Sequence, residues 1–206
     1  ILSSYSPHER EMRKNGRPSI GSGLVFPLGE EKIMVDPLEI KPHWPRIAAI
    51  DFGWDHPTAV VWCAIDRDEE TFYIYDCYRA SKASPTVHSE AIKGRPHFIP
   101  IAYPHDGNRR DSMGNPGLAD QYRNLGCNFL LEHFTNPPAL GNNKGSNSIE
   151  EGLMAMLQAV EGGKFKVFST LSDWFEEFRM YHRKDNKVVP LRDDLMSATR
   201  YAFQSQ

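Results

Sequence analysis

The chain has 206 residues, 40% of them hydrophobic and 25% charged, the composition of an ordinary globular protein with room for one well-buried core. Its net charge of -3 argues against a free-standing, tight nucleic-acid binder, and no apolar stretch approaches the roughly 20 residues that cross a bilayer. Cys63, Cys77 and Cys127 are widely spaced and form no CxxC pair, which argues against a zinc ribbon or disulfide framework and fits a reducing, intracellular compartment.

The opening ILSSYSPHEREMRKNGRPS has neither an initiator Met nor the apolar core of a signal peptide, so we read the chain as a piece of a larger protein. Residues 1–45 carry Pro7, Pro18, Pro27, Pro37, Pro42 and Pro45 with glycines between them. That pattern predicts an extended arm or interdomain linker packing on the core, with short strands at Gly23 to Phe26 and Lys32 to Val35. From Arg46 to the end, regular elements predict one α/β domain over 46–206.

Strands are predicted at 46–52, 58–66 and 71–79, the last two joined by the charged turn Asp66-Arg67-Asp68-Glu69-Glu70. Ile47 to Ile50 is an unbroken apolar run, the mark of a central strand covered on both faces. A helix over 85–94 follows Pro85, which suits a first helical turn. A strand over 98–103 runs into Pro104-His105-Asp106-Gly107, a helix over 117–125 stops at Gly126, and a further strand spans 127–132. Residues 134–147, rich in Asn, Gly and Pro, predict a mobile loop. Ser148 and Glu151 have the spacing of a capping box for a helix with Ile149, Leu153, Met156, Leu157 and Val160 on one face. After Gly162-Gly163 come a strand at 165–168 and a helix with Leu171, Trp174, Phe175, Phe178 and Tyr181 on one side. Asp193-Asp194 opens the last helix, with Leu195, Ala198 and Ala202 facing inward. Three consecutive strands followed by alternating strands and helices predict a mixed sheet, order 3-2-1-4-5, with helices on both faces.

In that order the first and fourth strands are neighbours, so Asp51 and Asp106 emerge at the same edge, a topological switch point where open α/β sheets place ligands. The helix starting at Asp193-Asp194 can bring further acids there. Singly, each acid has a plain structural explanation: turn residues at Asp51 and Asp106-Gly107, a cap for the Asp pair. Jointly, converging carboxylates repel and raise each other's pKa, and a site that keeps them needs a divalent cation. An all-oxygen donor set suits Mg²⁺ or Mn²⁺ and not zinc. Two such ions can serve phosphodiester hydrolysis, with flanking phosphates held by the basic groups Arg109, Arg110, His182, Arg183, Lys184 and Lys187. No HExxH spacing exists, Asp55 and His56 read as turn-shaping neighbours, and Gly16 to Ser22 lacks the lysine of a phosphate-binding loop.

The stretches IDFGWDHPTAVVW, IPIAYPHDG, KFKVFSTLSDWFEEFRMYHR and DDLMSATRYA together resemble the C-terminal nuclease domain of the large terminase subunit of tailed bacteriophages, and GSGLVFP and IMVDPLEI resemble its interdomain region. The resemblance implies an RNase H-like fold and a metal-dependent endonuclease that cuts concatemeric double-stranded DNA at the start and end of genome packaging. It implies Asp51 and Asp106 as the first two metal ligands, with Asp193, Asp194 or both as the third. It also implies work in the host cytoplasm beside an ATPase motor domain, a small terminase subunit and a portal, with no membrane partner. Two other readings stand beside it. One is a docking module that binds DNA or portal without cutting. The other is a phosphotransfer domain of the sugar-kinase and actin-like type, disfavoured because its Asp-x-Gly loop occurs once.

Overall fold

The computed structural model describes residues 23–109, 114, 116–138 and 145–206. Its centre is a meander of three antiparallel strands, β3 (Arg46–Asp51), β4 (Thr58–Asp66) and β5 (Thr71–Ala80). β6 (Ile101–Ala102) lies parallel beside β3, reached through helix α1 (Pro85–Lys93). On the other side, β7 (Phe165–Phe168) runs parallel to β5, and β2 (Met34–Val35) runs parallel to β7. The six-stranded order is β2-β7-β5-β4-β3-β6. A second, three-stranded sheet joins β1 (Gly23–Leu24), β8 (His182–Lys184) and β9 (Lys187–Val188).

The two-residue period of a strand sorts the central side chains into two cores. Ile47, Ala49, Ala59, Val61 and Cys63 face one layer, and Ala48, Ile50, Val60 and Trp62 face the other. The first layer is built by α3 (Ile149–Glu161), α4 (Ser172–Met180) and α5 (Asp194–Gln204); the second by α1 and α2 (Leu118–Asn124). This is the reason Ile47 to Ile50 contains no polar residue: neither face meets water. Leu153, Met156, Leu157 and Val160 of α3 are buried as predicted, and so are Leu171, Trp174, Phe175, Phe178 and Tyr181 around α4. Ile149, at the first turn of α3 and predicted on the same apolar face, is instead exposed.

The predicted order 3-2-1-4-5 is present as β5-β4-β3-β6 plus a single bridge from Ile101 to Phe129. Two expected strands are shorter than the sequence suggested. β6 keeps only two residues because Pro100 and Pro104 bracket it and neither can donate to a ladder. With so short a neighbour, 127–132 has little to pair against, and the chain leaves the sheet at Leu131, which is 88% exposed. The loop expected over 134–147 is partly anchored: Phe134 and Asn136 are buried, and Asn136 N–H donates to Ser146 O (2.7 Å). Residues 139–144 lie outside the described residues. The capping box is made in one direction only. Ser148 Oγ accepts from Glu151 N–H (3.4 Å), while the Glu151 carboxylate accepts from the Ser146 and Asn136 side chains.

From the arm, Val25, Phe26 and Ile33 belong to the same core cluster as α3, α4 and α5, and Phe26 stacks on Phe178 with centroids 5.6 Å apart. Residues 1–22 of the expected arm lie outside the described residues; in the rest, these few apolar residues supply the grip on the core.

Candidate metal centre

β3 ends on Asp51, opposite Ala59 of β4. The chain must turn back at once to start β4, and Gly53 makes that possible. A Cβ at position 53 would collide with the carbonyl oxygens of His56 and Pro57. Thr58 then ties the turn. Its Oγ1 accepts from Gly53 N–H (3.2 Å) and donates to Gly53 O (2.9 Å). Asp51 is left half-buried at the strand's mouth.

The register of β6 brings the second acid to the same edge. Ala49 is opposite Ala102, so Asp51 is level with Pro104, just before the 3-10 turn His105–Asn108 that carries Asp106. Gly107 allows this turn to close on β3. A Cβ there would sit 2.7 Å from the Phe52 ring and 2.8 Å from the Tyr103 ring. Asp106 itself is exposed.

The third contribution comes from α5. Asp193 occupies its N-cap position without making a side-chain cap bond, and Asp194 is its first helical residue, only 8% exposed. Seven residues on, nearly two helical turns and therefore on the same face as Asp194, Tyr201 Oη donates to Asp51 Oδ1 (3.2 Å). Asp193 lies about 100° round the helix from Asp194.

Electrostatics report how closely these groups crowd. Asp51 is pushed up to about 8, chiefly by burial, next by the negative charge of Asp194, and further by Asp106 and Asp193, against the opposing hydrogen bond from Tyr201. Asp193 is raised by burial and then by Asp194, with His56 and Arg200 acting the other way. Asp194 is raised by burial, with His56 and Arg79 opposing. Burial and the Asp51 charge raise the Tyr201 hydroxyl as well, which keeps it a donor. Among the described residues, no group of three or more His, Cys, Asp or Glu side chains is arranged as a finished ligand set. The donors are nonetheless all oxygen, and their mutual repulsion is of the kind a hard divalent cation relieves, so the chemistry of the residues fits Mg²⁺ or Mn²⁺.

The basic residues fall in two places. Arg109 is exposed directly after the Asp106 turn, and Arg110 lies outside the described residues. β8 and β9 form a hairpin whose central residues, Asp185 and Asn186, have φ of 50° and 62°, the left-handed pair a tight two-residue turn demands. Lys184 and Lys187 flank that turn in the open. Arg183 is committed to Glu150, donating to both carboxylate oxygens (2.6 and 2.7 Å), and the His182 ring bonds Met180 O (2.8 Å).

Sequence reasoning missed Tyr201 and Glu177. The signal for Tyr201 was present, since its spacing from Asp194 and from the buried Ala198 marks one helix face. Glu177, wholly buried amid an aromatic stripe, carries no local signal of its role.

The family profile described as Terminase RNaseH-like domain matches residues 48–206. Over 204 residues the chain is 39% identical to the terminase large subunits of Enterobacteria phage LP7 and Salmonella phage P22, covering 98% of this chain. It spans only 42% and 40% of those two proteins. Among solved structures, the P22 large terminase nuclease domain superposes with a TM-score of 0.80 at 37% identity, covering 91% of this chain and 94% of that one. At the level of fold alone, the chain also resembles two more distant terminase nucleases. One is the large terminase nuclease of thermophilic phage G20c with bound magnesium (TM-score 0.59, 18% identity, 92% of this chain and 99% of that one). The other is the large terminase nuclease domain of bacteriophage SPP1 with bound Mn (TM-score 0.58, 17% identity, 84% and 94%).

Proposed function

This chain belongs to the terminase RNase H-like domain family, and from that premise we propose that it is a divalent-metal-dependent endonuclease domain of a phage large terminase. The observation that carries this reading is the bond from Tyr201, on the Asp194 face of α5, to Asp51 at the end of β3, with the Asp106 turn following β6 at the same end of the sheet. Solved terminase nucleases of the same fold hold magnesium or manganese.

In this reading Asp51, Asp106 and Asp194 hold the metal, with Asp193 at the rim. A divalent cation, and in the two-ion form a pair of Mg²⁺ or Mn²⁺, would be held by these carboxylates and would supply Lewis-acid activation of water and charge stabilisation at a phosphodiester. The protein's own part is positional. Tyr201 fixes one oxygen of Asp51. The Gly53 and Gly107 turns set the spacing of the two strand-end acids. Arg109, Arg110, Lys184 and Lys187 would steady the phosphates of double-stranded DNA, joined by His182 and, if it exchanges Glu150 for phosphate, Arg183. The ATPase motor, small terminase subunit and portal, and work in the host cytoplasm, belong to the same proposal.

The test is nicking and linearisation of supercoiled plasmid by the 206-residue chain with Mg²⁺ or Mn²⁺. Asp51→Asn should reduce cleavage by about 1,000-fold or more while retaining the parental circular dichroism spectrum. A variant that cuts like the parent would show that the site lies elsewhere, and a parent that binds DNA without cutting would favour the docking reading.

A further inference from the structure

An aspartate at a helix N-cap ordinarily turns its carboxylate onto the free backbone N–H groups of the first turn. Asp193 does not, and one of those groups, Leu195 N–H, is bonded instead by Glu177 Oε2 (2.7 Å) from the neighbouring helix α4. The other oxygen of Glu177 accepts from Arg79 Nη1 of β5 (3.1 Å). Glu177 is 0% exposed, so this carboxylate has no solvent to turn to.

Three more contacts act on the same stretch. Trp174, one turn before Glu177, donates from Nε1 to Thr199 Oγ1 (2.8 Å), and Thr199 donates on to Leu195 O (2.7 Å). Arg192, the residue before the acid pair, holds a left-handed φ of 51° and donates to Glu176 Oε1 (2.8 Å). Glu176 and Asp173 accept from the same Arg79, at 2.6 and 3.3 Å. Helix α4 therefore grips α5 at two levels and grips the chain entering it at a third. Sliding and rotation of α5, the two movements that would swing Asp194 away from Asp51, are both opposed.

We propose that Glu177, held by Arg79, is a positioning residue that caps α5 from outside and so fixes where Asp194 stands beside Asp51. Without it, Leu195 N–H is left unpaired in the interior, the position an N-cap carboxylate such as that of Asp193 ordinarily serves. The inference rests on the functional reading above.

The experiment compares the parent, Glu177→Gln, Glu177→Ala and Ile92→Ala in the 206-residue chain. Ile92 is buried on the opposite face of the sheet, in α1. Mn²⁺ affinity is read from the free-ion electron paramagnetic resonance signal, and Tm and the Mn²⁺ midpoint of plasmid cleavage are measured alongside. Gln keeps the side-chain volume but offers one acceptor to the two donors Leu195 N–H and Arg79 Nη1 and turns an amide NH₂ toward the other, so it breaks the paired arrangement even if the Ala variant does not fold. We expect the binding constant and the cleavage midpoint of Glu177→Gln to weaken about 10- to 100-fold, the range for losing a group that orients a metal ligand, with cleavage restored toward parental at saturating Mn²⁺. Ile92→Ala should lower Tm without moving either value. An unmoved Glu177→Gln midpoint beside parental cleavage overturns this inference alone, and so does an equal shift in Ile92→Ala. A parent that neither binds Mn²⁺ nor cuts overturns the functional reading and this inference together.

Discussion

Asp51 ends a strand that is otherwise wholly apolar, and its position explains its cost. The carboxylate leaves a low-dielectric interior at the point where other acids arrive, and burial adds to their repulsion to hold its pKa at about 8. Glu177 is likewise pushed up to about 7, mainly by burial, in spite of its bonds to Leu195 and Arg79. Both folded values lie above those of an unfolded chain, so both groups bind protons more tightly in the folded state. Their stabilising contribution is complete below about pH 4 and is lost as pH rises through 7 and 8. In EDTA, thermal denaturation should give a lower Tm at pH 8.5 than at pH 5.5. Each group that titrates costs about 1.4 kcal/mol per pH unit, equivalent to roughly 3–6 °C at this size. Asp51→Asn should flatten that slope. Because the acids must lose protons to bind a cation, Mn²⁺ titration at pH 7 should release protons measurably in weakly buffered solution. A slope of the opposite sign, or no release, would show that Asp51 is ionised in the apo protein.

At the scale of elements, the described part of the Pro-rich arm, residues 23–45, takes part in the main sheet and core, a role its prolines do not reveal. β2 extends the main sheet as its edge strand, and Ile33, beside it, is 0% exposed. Ile33→Ala should therefore destabilise the domain by about 2–5 kcal/mol, read from chemical denaturation with an unchanged m-value. A loss under 1 kcal/mol would mean the arm merely lies on a core that is complete without it. Helix α5 is the opposite case, since its inward face was legible from Leu195, Ala198 and Ala202. What periodicity left open was which of two adjacent acids points inward. The burial of Asp194 and the Tyr201 bond to Asp51 place Asp194 on the inward face. Trp174→Phe removes the donor to Thr199 at a buried site. It should cost about 1–3 kcal/mol, measurable as a shift in denaturation midpoint.

For the whole molecule, a net charge of -3 and an acidic centre predict weak DNA affinity carried by a few cations. With about four phosphate contacts, raising salt from 50 to 200 mM should weaken binding roughly 100-fold, with little dependence on sequence. Fluorescence anisotropy on two unrelated duplexes would check both points, and a tenfold preference for either duplex would contradict the second. Removing divalent metal with EDTA should abolish cleavage and leave the far-ultraviolet spectrum unchanged, because the two cores on either face of the sheet need no metal to close.

Sequence alone was enough for the central strands, the helix faces and the neighbourhood of Asp51 and Asp106. Those features follow from local period and from the few ways a right-handed chain can cross a sheet. It also carried the family resemblance, since IDFGWDHP and DDLMSATRYA keep their spacing in one dimension. Only the tertiary structure decided the lengths of the edge strands, the docking of the arm through Ile33 and Phe26, and the bonds from Tyr201 to Asp51 and from Glu177 to Leu195. Those bonds join residues 150 and 18 positions apart. No local pattern encodes which buried polar atom will meet which, because that depends on how two helices and a sheet settle against one another.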